Sequence, residues 1–182
     1  MNQLRRALVL AACLLVLPAV VSAQRMPREG GWSAWAGLGL TNPTGDIDAD
    51  FGFSGGVDYF ITRNFSLGFL GGAWSADTDF GGDAKEAYGD FVMTYNWEGR
   101  KFHPYVQAGV GPYFIDFPFN DRQTEVGGFL GGGLDVFFTD RAAIDFAFRY
   151  HIVPEADAIV GFPAADRDAK FFEAHAGVKF YF

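Results

Sequence analysis

The 182-residue chain carries 14 Lys and Arg against 22 Asp and Glu, for a formal charge of -8, with 24 Gly, 21 Phe and one Cys. The acidic balance argues against nucleic acid as a partner, and a single cysteine excludes an internal disulfide framework. Glycine and aromatic residues are in excess without collagen period or low-complexity tracts, which points to a curved sheet with one greasy face.

In chain order, Arg5 and Arg6 precede an apolar run from Ala7 to Val21, and Val21-Ser22-Ala23 supplies the small residues that a signal peptidase reads. Pro18 interrupts the run, which is shorter than the roughly 20 residues of a membrane-spanning helix, so residues 1–23 are read as a cleaved export signal. Leu10-Ala11-Ala12-Cys13 resembles a lipoprotein box, but the apolar stretch before the cysteine is short and a long one follows it. Cleavage before Gln24 leaves 12 basic against 22 acidic residues, a net charge of -10, and no cysteine. Residues 24–30 then form a short periplasmic segment, and residues 31–182 form one domain.

Period-two alternation recurs through that domain without a stretch of helical period. Strands are expected at Gly31 to Leu40, Phe51 to Phe60, Phe65 to Trp74, Glu86 to Tyr95, Phe102 to Phe114, Glu125 to Phe138, Ala142 to His151 and Ala169 to Phe182. About ten residues suit a tilted strand that crosses a bilayer. The connections alternate in length. Ile61 to Asn64, Asn96 to Lys101 and Phe138 to Arg141 are short, whereas Thr41 to Asp50, Ser75 to Lys85, Ile115 to Thr124 and Val153 to Asp168 are longer. Short turns belong on the periplasmic side of such a barrel and long loops outside, which puts both termini in the periplasm. An internal echo supports the count, because the Gly55-Gly56-Val57-Asp58-Tyr59-Phe60-Ile61-Thr62 segment returns 77 residues later as Gly132 to Thr139.

The seventh strand separates Ile144, Phe146, Phe148, Tyr150 and Ile152 from Ala143, Asp145, Ala147, Arg149 and His151. The fifth and eighth split as cleanly. Alternation alone does not say which face points outward, so a soluble lipocalin-like barrel with an apolar interior competes with a membrane barrel. The polar face here is mostly glycine with scattered acids, which suits a narrow eight-stranded lumen better than a solvated wall. Trp32, Tyr59, Phe60, Trp74, Tyr95, Trp97, Phe138 and Phe182, near strand ends, are candidates for interfacial aromatic girdles.

The chain ends His175-Ala176-Gly177-Val178-Lys179-Phe180-Tyr181-Phe182. This resembles the C-terminal signal that hands outer-membrane barrels to their insertion machinery, with His175, Gly177, Phe180 and Phe182 at its defined positions. With the Gly-Val-Asp-Tyr-Phe-Ile-Thr-Arg-Asn turn and the Pro104-Tyr105-Val106 strand start, residues 31–182 resemble the small, porin-like outer-membrane proteins of the OmpA and OmpX type. The resemblance implies an all-β fold, an eight-stranded antiparallel up-and-down transmembrane β-barrel in a bacterial outer membrane. It implies outer-membrane lipid, lipopolysaccharide and the insertion machinery as partners, and names no substrate.

The inward set holds Asp58, Glu86, Asp90, Glu125, Asp135, Asp145 and Glu173 against Arg149 and Lys179, with His103, His151 and His175 undecided. Residue levels place Asp145 near Lys179, and Arg149 near Glu173 and His175. Unpaired charge in a dry lumen is expensive, so pairing, water or protonation must offset it. A structural polar plug is the first reading and an ion path the second.

A serine hydrolase needs a Ser activated by His and an acid. Only Ser33, Ser54, Ser66 and Ser75 follow residue 23. Arg149-Tyr150-His151 loosely resembles the histidine strand of barrel deacylases, but Val153 stands where those enzymes carry their serine. No catalytic site is assigned. The long connections hold 12 acids against Lys85, Arg122 and Arg167. Asp46-Ile47-Asp48-Ala49-Asp50 approaches a calcium loop, but Gly52 comes one position late and Val57 replaces the closing glutamate, so no metal or cofactor is expected. The leading expectation is a monomeric, non-enzymatic barrel with a structural envelope role and acidic surface loops. A narrow cation-preferring channel and a loop-based adhesin or receptor are the alternatives.

Overall fold

A computed structural model describes residues 27–43, 50–77, 83–99, 101–116, 123–154 and 169–182. The signal, the lipoprotein box, the Asp46–Asp50 spacing and the tips of the long connections lie wholly or largely outside the described residues.

Eight antiparallel strands form one closed barrel: β1 Trp32–Pro43, β2 Asp50–Phe60, β3 Phe65–Asp77, β4 Asp83–Asn96, β5 Phe102–Asp116, β6 Gln123–Phe137, β7 Ala142–Val153 and β8 Ala169–Tyr181. Each strand pairs with its sequence neighbours, and β1 closes on β8 through Ser33↔Tyr181 to Pro43↔Phe171. Closure removes sheet edges, so the backbone donors and acceptors of the wall are paired within the sheet. The final residue joins this ladder, with Trp32 N–H donating to the Phe182 carbonyl at 2.9 Å and Phe182 N–H to the Trp32 carbonyl at 2.9 Å.

The strands outrun the apolar alternation at the long-connection end. β3 and β4, for example, remain paired out to Asp77↔Asp83. Polar residues there end the sequence pattern while the backbone ladder continues. At the opposite end the repeat in sequence is a repeat in structure. Thr62 Oγ1 accepts from Asn64 N–H at 3.3 Å and Phe65 N–H at 3.0 Å, and Thr139 Oγ1 accepts from Arg141 N–H at 3.2 Å and Ala142 N–H at 2.9 Å. A threonine hydroxyl that bonds its own backbone stabilises a tight turn, so both hairpins use one device.

The greasy face points outward. Leu38, Phe51, Phe69, Leu130 and Phe148 are 65–74% exposed, while Arg149, Asp135 and Asp145 on the other face are 0–1% exposed. A soluble barrel would invert this arrangement. Period two also moves two of the expected girdle residues inside. Phe60 shares the face of Asp58, and Trp74 that of Leu70, and both are buried. Trp32, Tyr59, Tyr95, Trp97, Phe138 and Phe182 remain exposed.

Inside the barrel, side chains lie in layers. Towards the long connections, Leu70, Tyr88, Val92, Tyr113, Ile115, Phe129, Val153 and Phe171 pack together, with Trp35 against them. Towards the short turns, Phe60, Ala143 and Tyr181 form a second apolar layer with Phe137. Between them sits the charged middle of the lumen.

Candidate functional site

Glu173 on β8 is the hub of that middle layer. Its Oε1 accepts from Ser54 Oγ of β2 at 2.7 Å and from Arg149 Nη1 of β7 at 3.0 Å, and its Oε2 accepts from Tyr88 Oη of β4 at 2.5 Å. Arg149 and Glu173 are paired in register across β7 and β8, so the ladder itself brings them together. The guanidinium also lies 4.8 Å above the Trp35 ring, which stacks on His175 at 4.8 Å. The buried Arg149 is thus held by a carboxylate, an imidazole nitrogen and an aromatic face.

The same network fixes a histidine tautomer. Arg149 Nη1 lies 2.8 Å from His175 Nδ1, and a guanidinium has no lone pair to accept with, so Nδ1 is the acceptor. The ring hydrogen is therefore on Nε2, which donates to Asp145 Oδ2 at 2.7 Å. Tyr105 Oη donates to the other oxygen of Asp145, also at 2.7 Å.

A second group lies nearer the short turns. Lys179 Nζ is 3.5 Å from Asp58 Oδ2 and 3.6 Å from Asp135 Oδ2. Ser33 Oγ donates to Asp58 at 3.1 Å, and Tyr181 Oη to Asp135 at 2.5 Å. The expected level match of Lys179 with Asp145 gives way to these two partners on β2 and β6. A long lysine reaches across a narrow lumen, whereas strand counting sees only lateral neighbours. Asp145 takes His175 and Tyr105 instead.

Of the expected lumen residues, the structure thus joins Asp58, Asp135, Asp145, Arg149, Glu173, His175 and Lys179. Asp90 stands closer to the long connections and accepts from Tyr113 Oη at 3.0 Å. His151 Nδ1 lies 2.9 Å from the same hydroxyl, whose single hydrogen serves Asp90 or His151 but not both. Glu86 is buried opposite Trp74, and neither Glu86 Oε1 nor Trp74 Nε1 has a hydrogen-bond partner among the described residues. Glu125, paired with Tyr113, is only half-buried. His103 and His151 both point inward.

The residues missed by sequence reasoning are the neutral donors Ser33, Ser54, Tyr88, Tyr105, Tyr113 and Tyr181. Shared parity with the acids along each strand is the signal that finds them. Together the network takes side chains from seven strands and leaves out β3, whose central inward positions are Gly68, Leu70 and Gly72.

The chemistry is that of a brace. Ser54 bonds the carboxylate of Glu173, and His151 Nε2 lies 3.3 Å from the same carboxylate. A nucleophilic serine has its base as its partner and the acid behind the base. Here the acid sits between the other two, so no relay activates Ser54. The cleft beside Gly39, Thr41, Gly52, Trp74, Tyr88 and Glu173 has no room for a water molecule.

The family model described as "Outer membrane protein beta-barrel domain" matches residues 9–182. No curated protein matches the chain in sequence. Among solved structures, Neisserial surface protein A is similar with a TM-score of 0.63 at 17% identity, over 85% of this chain and 100% of that one. The N-terminal barrel domain of Pseudomonas aeruginosa OprF is similar at 0.59 and 17%, over 86% and 100%. Ail, the attachment invasion locus protein of Yersinia pestis, is similar at 0.55 and 17%, over 85% and 99%. Likeness at this identity is likeness of fold.

Proposed function

Because this chain belongs to the outer membrane protein beta-barrel domain family, we propose that it is a non-enzymatic integral barrel of the bacterial outer membrane with a structural role in the envelope. Its short turns face the periplasm, where a signal cleaved before Gln24 delivers it. The strand that ends in Phe180 and Phe182 is its handle for the insertion machinery, and its acidic long connections face outward beside lipopolysaccharide. It acts as a monomer, because closure leaves no sheet edge to pair with another copy.

One observation carries the reading: a buried network of ions and hydroxyls ties seven strands across the lumen, between two layers of apolar side chains. A conducting pore needs a hydrated path lined by groups that bind and release ions. Here the two lumen cations are already held by carboxylates, and tyrosines occupy the space between. The arrangement favours stiffness over passage, and the order of Ser54, Glu173 and His151 favours it over hydrolysis.

Deleting the gene should raise sensitivity to detergent and leakage of a periplasmic reporter. A barrel whose connections 44–49 and 155–168 are replaced by short Gly-Ser linkers should restore both. Restoration only by the intact loops would move the function to the surface, as in an adhesin. An unchanged envelope in the deletion strain would remove the structural role.

A further inference from the structure

We propose that the rim at the short-turn end of the barrel is a docking surface for anionic phospholipid headgroups, an inference that rests on the membrane placement above. The segment before β1 and each of the three short turns supply a cation. Arg28 precedes β1, Arg63 lies between β2 and β3, Lys101 between β4 and β5, and Arg141 between β6 and β7. Arg28, Arg63 and Lys101 are exposed, and Arg141 is half-buried.

Their neighbours give the depth of this ring. Trp32, Ile61, Phe102 and Phe138, each within four residues of one of the cations, are 42–57% exposed on the outer wall. Trp32 packs on Tyr59 at 5.0 Å and Tyr95 on Trp97 at 5.1 Å, so indole and phenol rings form a belt just inside the cations. Aromatic belts sit at headgroup level, and basic side chains beside them reach outward while their stems lie along apolar surface. The cations are therefore placed where lipid phosphates lie. A soluble acidic partner would require no such coupling to a lipid-facing belt.

The charge is also one-sided. Among the described residues, this end carries Arg28, Arg63, Lys101 and Arg141 against the acids Glu29, Glu98 and Asp140. In sequence, the long connections hold 12 acids against Lys85, Arg122 and Arg167, and Lys170 opens the strand that follows the last of them. The two ends are separated by a hydrocarbon layer of roughly 30 Å, and the electrolyte at each surface screens exposed charge over a Debye length of about 8 Å, so each leaflet experiences mainly its own rim. Anionic headgroups are attracted at one end and repelled at the other.

The full barrel, reconstituted in nanodiscs of equimolar phosphatidylglycerol and phosphatidylcholine, is released for native mass spectrometry of its retained lipids. Folding is checked beforehand by the heat-dependent gel shift. We expect phosphatidylglycerol to exceed phosphatidylcholine by at least about threefold, a modest figure beside the roughly fivefold that one Lys or Arg gives near an anionic surface. The double variant Arg63→Glu/Lys101→Glu should lose the preference, and Lys85→Glu at the opposite end should keep it. The neutral pair Arg63→Gln/Lys101→Gln serves if the charge-reversed barrel fails the gel-shift check. Equal retention of both lipids, a preference indifferent to these variants, or displacement by soluble polyglutamate as effective as by phosphatidylglycerol would overturn the inference. Failure of the wild-type chain to enter either lipid would instead overturn the membrane reading.

Discussion

Arg149 is the residue on which the lumen turns, because its guanidinium serves Glu173 and His175 together and is fully buried. Removing one partner of a buried ion pair costs about 3–5 kcal/mol, since the other charge is left without compensation. Arg149→Met should therefore lower the urea unfolding midpoint sharply. Adding Glu173→Gln to it should recover part of the loss, which would be read as a non-additive double-mutant cycle. Additive effects would mean that the two side chains do not act as a pair. Tyr181→Phe deletes the donor to Asp135 without changing shape, and a smaller loss of about 1–3 kcal/mol is expected in the same assay. At this scale the sequence showed which residues point inward, since parity along β7 and β8 sorts Asp145, Arg149, Glu173 and Lys179 together. It did not show who bonds whom. Lys179 reaches Asp58 and Asp135 across the lumen, and such distances depend on curvature and side-chain reach, not on residue counting.

Strand faces were the most legible elements, because a half-buried strand writes its two environments into alternate positions. Leu130 on β6 is 68% exposed in the middle of the apolar band. If that band meets hydrocarbon, Leu130→Arg should cost about 2–4 kcal/mol in lipid vesicles. On a wall facing water it would cost almost nothing. The glycines divide by what a side chain would meet. A Cβ on Gly37 would lie 2.7 Å from the Ala176 carbonyl oxygen and 2.9 Å from Gly177 Cα, both fixed backbone, whereas one on Gly89 would meet nothing within 4 Å. Gly37→Ala should therefore destabilise by about 1–3 kcal/mol and Gly89→Ala by less than about 0.5 kcal/mol, again read from unfolding midpoints. Strand ends were less legible. β1 and β5 continue to Pro43 and Asp116 because the backbone ladder does not require apolar side chains. The same parity rule that sorts the faces corrects Phe60 and Trp74, whose nearness to strand ends suggested a girdle.

For the whole molecule, closure and filling act together. Eight strands leave a lumen that side chains can occupy, and this chain occupies it with aromatic rings above and below an ionic centre. The acids of the lumen outnumber its permanent cations, and hydroxyl donors from Ser33, Ser54, Tyr88, Tyr105, Tyr113 and Tyr181 supply further bonds to Asp58, Asp90, Asp135, Asp145 and Glu173. Those neutral donors are why the charge count alone suggested a cation path while the geometry suggests a brace. Single-channel recording on the purified barrel in a planar bilayer tests the difference directly. The brace predicts a correctly folded, heat-modifiable protein that gives no conductance steps, with steps emerging when Arg149→Ala and Tyr88→Ala thin the plug together. Steady cation-selective steps from the unaltered barrel, reduced by neutralising Asp58 or Asp135, would contradict it.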